Sequence, residues 1–168
     1  MSVLVYTENW DGKFKKLSFE LVSYASAVAA MAKTNVTALS IGNAEEAELK
    51  KLGDFGADRI LSFPGDQYKT LDNQVFTAAV AAVARKENSN IIIFSNNNTG
   101  KALAPGVSVM LKAGLASGVS GLPLSLDPFT VSKRAYSGNA FAHVVIKSDV
   151  TKDGIVFAFI KTENGLDS

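Results

Sequence analysis

Four short apolar runs, Ser2 to Tyr6, Val36 to Ile41, Arg59 to Phe63 and Asn90 to Ser95, alternate with longer segments whose apolar residues recur every three or four positions. That alternation restricts the chain to one architecture: parallel strands joined by crossover helices, because a period of two and a period of 3.6 bury different faces. Asn90-Ile91-Ile92-Ile93-Phe94-Ser95 is apolar on both faces, as a strand covered by helices above and below should be. It is therefore expected at the middle of the sheet.

The intervening segments read as helices. Leu17, Leu21, Ala25, Val28 and Ala32 mark one buried face, with Ser18 as its N-cap and Glu20 in the first turn, after a turn at Glu8 to Gly12. Ala44 to Leu52 is a short charged helix closed by Gly53 and Gly56. Val75, Phe76, Ala79, Val80 and Val83 predict a helix from about Leu71 to Lys86. A last helix, with face Leu103, Val107, Met110, Leu111 and Leu115, follows the polar turn Asn96 to Lys101, and Pro105 is expected within its first turn, where a missing N–H costs no bond.

From Gly114 the period breaks at Gly114, Gly118, Gly121 and Pro123. Thr130 to Arg134, Ala140 to Lys147 and Ile155 to Ile160 then read as antiparallel strands, with turns at Ser137-Gly138-Asn139 and Lys152-Asp153-Gly154. No linker or repeat divides the sequence. The expectation is one domain over 1–168, a parallel α/β layer over 1–121 with an antiparallel β extension over 122–168.

A chain of 168 residues with 47% hydrophobic residues can build its own core. Seventeen basic against sixteen acidic residues leave a net charge of +1, too little to draw in a polyanion, so nucleic acid is not expected as a partner. The lack of cysteine excludes disulfides, thiolate metal sites and cysteine nucleophiles. Met1 to Tyr6 lacks the basic start of a signal peptide, and no apolar run approaches the roughly 20 residues of a membrane span. A cytoplasmic chain, or one already trimmed of a targeting segment, is expected, without membrane insertion.

Open parallel sheets bind ligands beyond the carboxyl ends of their strands, which singles out Thr7 to Gly12 and Ser95 to Lys101. Thr99, Gly100 and Lys101 could offer backbone amides and a cation to a cofactor's anionic group; the plainer reading is a turn and an N-cap. A P-loop is excluded by Ser95 and Ala102, and no G-x-G-x-x-G follows the first run. His143, the single histidine, has no cysteine or second histidine with which to bind metal, and no catalytic constellation is present. Glu45, Glu46 and Glu48 with Lys50 and Lys51 read as a solvated helix face. Arg134, Tyr136 and Asn139 form a polar cluster that either a hairpin turn or an interface anchor would explain.

Taken in order, Ser2-Val3-Leu4-Val5-Tyr6, FSNNNTGKALAPGVSVMLKAGLASGVSG at Phe94 to Gly121, and RAYSGNAFA at Arg134 to Ala142 resemble the N-terminal domain of the electron-transfer flavoprotein alpha subunit. The Arg134 to Ala140 stretch favours the alpha over the beta subunit, and the resemblance covers nearly all of the chain. It implies a Rossmann-like three-layer open sheet, mostly parallel and of the adenine-nucleotide alpha-hydrolase-like kind, with a β-rich C-terminal appendage. Two positions depart from the family pattern: Gly106, where Arg is common after Ala-Pro, and Gly118, where Asp is usual.

The resemblance implies a structural and docking role rather than catalysis. Family members are heterodimers that take electrons from flavin-dependent dehydrogenases and pass them to a membrane quinone oxidoreductase or another acceptor. By the family's layout this domain packs on the beta subunit, while FAD is held elsewhere in the heterodimer and none is expected on this chain alone. The competing class is a freestanding adenine-nucleotide-binding module of the universal-stress type, which shares the strand and helix alternation but usually has a glycine-rich loop after the fourth strand.

Overall fold

In the computed structural model, residues 2–70, 72–126, 128–135, 140–146 and 157–161 are described. The order of elements is β1 (Ser2–Tyr6), β2 (Asn9–Trp10), β3 (Lys13–Phe14), α1 (Lys16–Ala32), β4 (Val36–Ile41), α2 (Glu46–Asp54) and β5 (Arg59–Phe63). A 3-10 turn (Asp66–Tyr68) leads to α3 (Asn73–Lys86), β6 (Ser89–Ser95), α4 (Asn98–Leu111), β7 (Gly114–Leu126), β8 (Phe129–Ala135), β9 (Ala140–Ile146) and β10 (Phe157–Lys161).

One sheet runs β5-β4-β1-β6-β10-β7-β8-β9. All neighbours from β5 to β7 are parallel, and β7-β8 and β8-β9 are antiparallel. This is the Rossmann-like open sheet expected from the sequence, with β6 inside it. The alternation of side chains makes two cores. Val3, Val5, Ile91 and Ile93 meet Leu21, Val22, Ala25 and Val28 of α1 on one face, and Leu4, Tyr6, Ile92 and Phe94 meet Phe76, Val80, Leu103 and Val107 of α3 and α4 on the other.

Several sequence expectations are corrected. The run expected as antiparallel over Ile155 to Ile160 is parallel where it is described: Phe157–Lys161, as β10, lies between β6 and β7 and runs parallel to both. The α4 crossover skips one strand position, and a later segment fills the gap. β7 runs for 13 residues through the glycines that were expected to break it, absorbing them as irregularities. Gly118, with φ +65°, lies where the β7 register against β10 shifts, and Gly121, with φ +68°, lies where its register against β8 shifts.

Helix ends differ as well. α1 starts at Lys16, so Ser18 falls in the first turn instead of capping it, and its hydroxyl donates to the Glu8 carbonyl at 3.1 Å. Gly53 is inside α2, while Gly56 follows it at φ +121°. Asp72 caps α3, its carboxylate accepting from the amides of Gln74 and Val75, and Val75 is exposed. Pro105 lies in the interior of α4, beyond its first turn, leaving the Lys101 carbonyl without the usual donor four residues on. Met110 is exposed and Leu115 belongs to β7. A Cβ at Gly106 would meet Thr77 Cγ2 at 2.8 Å, so this glycine lets α4 lie close against α3.

Candidate functional site

Connections from β1 run outward through α1 to β4 and through α2 to β5, then return through α3 to β6 on the other side of β1. The loops beyond the carboxyl ends of these strands are held together by asparagines. Asn97 caps α4, its Oδ1 accepting from Gly100 N at 2.8 Å, while its Nδ2 donates to the Glu8 carboxylate at 3.2 Å. Asn9 Nδ2 donates to Ser40 Oγ at 3.1 Å and to the Ile41 carbonyl at 3.0 Å. Asn43 Oδ1 accepts from Gly65 N at 2.8 Å, and its Nδ2 donates to Asp66 at 3.1 Å. Each strand-end loop is thus tied to the next. The Glu45 amide also donates to the Gly12 carbonyl at 2.8 Å.

Between these loops opens a cleft of about 830 Å³, within the range of small-molecule sites. Tyr6, Trp10, Tyr68 and Phe76 supply aromatic walls, and Glu8, Asp11 and Glu45 supply carboxylates. Lys69 also lines it but pairs with Asp66 at 3.6 Å. Tyr6 is only 3% exposed; burial first, and the nearby Glu8 charge second, push its hydroxyl well above the usual tyrosine range. The phenol therefore stays neutral.

The sequence had singled out Thr7 to Gly12, of which Glu8 to Gly12 line the cleft, while Thr7 is buried with its hydroxyl donating to the Leu39 carbonyl at 2.8 Å. Of Thr99, Gly100 and Lys101, only Thr99 lines the cleft. The Gly100 amide is taken by Asn97, and Lys101 is an exposed helix residue. Asn43 to Glu45 and Tyr68-Lys69 were missed, although each follows the carboxyl end of a strand, which is the available signal. Glu48 is buried rather than solvated: it accepts from Phe14 N at 3.1 Å and pairs with Lys51, joining α2 to β3.

Arg134 lies on β8 opposite Phe141, and His143 on β9 opposite Ser132, their side chains outside what is described. Tyr136 and Asn139 lie outside the described residues. Among the described residues no cluster of His, Asp or Glu could hold a metal ion, and no helix is long and apolar enough to cross a membrane. The carboxylates that line the cleft would oppose a pyrophosphate, and at the α4 N-terminus the Asn97 side chain takes one amide, that of Gly100.

A doubly wound parallel sheet with loops laced over its switch point defines a Rossmann-like α/β domain, a class that hosts many functions. Residues 3–151 match the family described as "Electron transfer flavoprotein domain", and the chain belongs to that family. It is 25% identical over 162 residues to the electron transfer flavoprotein subunit alpha of Bacillus subtilis, covering 96% of this chain and 48% of that protein. It is 24% identical over 156 residues to the Megasphaera elsdenii alpha subunit, covering 92% and 46%. A third relative, the acryloyl-CoA reductase electron transfer subunit beta of Anaerotignum propionicum, is 23% identical over 127 residues, covering 76% and 35%. The chain spans about half the length, or less, of these relatives.

Proposed function

We propose that this domain is the N-terminal structural and docking domain of an electron-transfer flavoprotein alpha subunit. It supplies shape and contact surface to a complex whose FAD, held by other parts, carries electrons from flavin-dependent dehydrogenases. The observation that carries this reading is the match to alpha subunits along 96% of the chain. The capped α4 N-terminus supports it, since Asn97 already takes the Gly100 amide, one of those a cofactor phosphate would seek.

In this role the domain is a carrier component rather than a catalyst, because the cofactor performs the electron chemistry and protein supplies position and electrostatics. The partner is the beta subunit, and Arg134, Tyr136 and Asn139 are assigned to the surface facing it. The test is reconstitution. The purified chain should be colourless and enter a yellow complex only with the beta subunit and the FAD-binding part of an alpha subunit; stoichiometric FAD on the chain alone overturns the reading. Within the complex, Arg134→Ala and Tyr136→Ala should each weaken association by about tenfold.

The alternative, a freestanding adenine-nucleotide-binding module, would have to use the cleft at the strand ends. Its acidic lining opposes the phosphates. Calorimetric titration with ATP and AMP separates the two, since a Kd below about 10 μM would favour the module.

A further inference from the structure

We propose that β5 is a self-association edge, along which two copies of this chain pair antiparallel about a twofold axis at Leu61. The sheet ends at β5 on one side. The Gly42 amide donates to the Phe63 carbonyl at 2.8 Å, so Phe63 turns its backbone polar groups toward β4, and the alternation along a strand turns those of Leu61 and Arg59 the same way. Ile60 and Ser62 are left with their N–H and C=O groups pointing outward. Among the described residues nothing bonds to these outward groups.

The open stretch is closed at both ends. The Asp58 amide donates to the Val36 carbonyl at 2.9 Å, and Pro64 has no N–H to offer. Edge strands are commonly guarded by an interior charge, a proline or a bulge. Ile60, Leu61 and Ser62 supply none of these, and all three are half-buried.

A second copy is the occupant that fits, because the open groups are symmetric about Leu61. With the axis there, Ile60 of one copy exchanges a pair of hydrogen bonds with Ser62 of the other, and Ser62 with Ile60, so every outward group is used. No other antiparallel register of β5 on itself does this. The same register sets Leu61 against Leu61 and Arg59 against Phe63, all on one face of the sheet. Phe63 is 40% exposed, and the Arg59 side chain, held at one end by Glu87, is 56% exposed, so its guanidinium can cover the ring of the other copy. This pairing does not depend on the electron-transfer reading.

A ladder this short makes a weak dimer, with a Kd on the order of 100 μM. Sedimentation velocity of the purified chain from about 10 μM to about 1 mM should show monomer giving way to dimer. Ser62→Pro removes an outward N–H and no bond to β4, a place where an edge strand tolerates proline, and should weaken the dimer at least about tenfold while the melting temperature stays close to the parent's. Position 63 tests the register without touching the backbone. Phe63→Lys sets an ammonium opposite Arg59 twice in each dimer and should raise the Kd about tenfold, whereas Phe63→Glu sets a carboxylate there and should keep the Kd within about threefold of the parent's. The proposal is overturned if the chain stays monomeric across that range, if Ser62→Pro folds and dimerises as the parent does, or if the two variants at position 63 weaken the dimer equally.

Discussion

The side chain of Asn97 faces two ways: it caps α4 through Oδ1 and grips the Glu8 carboxylate through Nδ2, 3.2 Å away, bridging the ends of β6 and β1. One amide thus starts a helix and closes the top of the sheet at its switch point. Asn97→Ala should cost about 1 to 2 kcal/mol in urea unfolding, the upper part of the usual capping range. Asn97→Asp keeps the cap but sets a second carboxylate against Glu8, so it should recover only part of that loss at neutral pH and more of it in acid. Equal stability of the Ala variant and the parent would show the bridge to be idle.

Two glycines should respond to alanine in opposite degrees. A Cβ on Gly100 would lie 1.9 Å from the Ser95 carbonyl oxygen, a distance that only backbone movement can relieve. Gly100→Ala should cost more than about 3 kcal/mol. Gly121 has φ +68° and nothing within 4 Å of the added atom, so its alanine variant carries only left-handed strain of about 1 kcal/mol. Thermal melts of both variants check the contrast.

The Glu48 carboxyl is held below its ordinary 4.5 by the Lys51 hydrogen bond first and the Phe14 amide second. A folded value lower than the unfolded one contributes stability above pH 4.5, which is lost as the pH falls through the folded value. Melting temperature should therefore drop as the pH goes below 4.5, and Glu48→Gln should be less stable at neutral pH with a shallower acid slope. An unchanged slope would remove Glu48 from the acid response.

Pro105 in the interior of α4 has no N–H to offer the Lys101 carbonyl four residues before it. Pro105→Ala restores the donor and the better helix former, and should raise stability by about 1 kcal/mol after the greater entropy of the unfolded chain is counted. Denaturant midpoints measure it; a fall instead would mean that the surrounding packing is built around the ring.

The parallel layer was legible because each buried strand carries its own pattern: β1, β4 and β5 begin and end where the apolar runs do. The position of β10 was not, since an apolar strand reads the same whether its neighbours run parallel or antiparallel. β7 was hidden for a different reason. Gly118 and Gly121 were read as breaks, and only pairing with β10 and β8 turns them into register shifts. In the cleft, Thr7 to Gly12 was visible from the strand-end rule, but Tyr68 and Glu45 join it through loops tied by Asn43, a contact that no local pattern encodes.

The late arrival of β10 has a consequence for biosynthesis. As the chain leaves the ribosome, β7 emerges with no partner on the side facing β6, and the two halves of the sheet stay unjoined until residues 157–161 thread between them. A nascent chain stalled before that point would present two raw parallel edges, so this domain is suited to completing its fold after translation has passed it and to needing shelter until then.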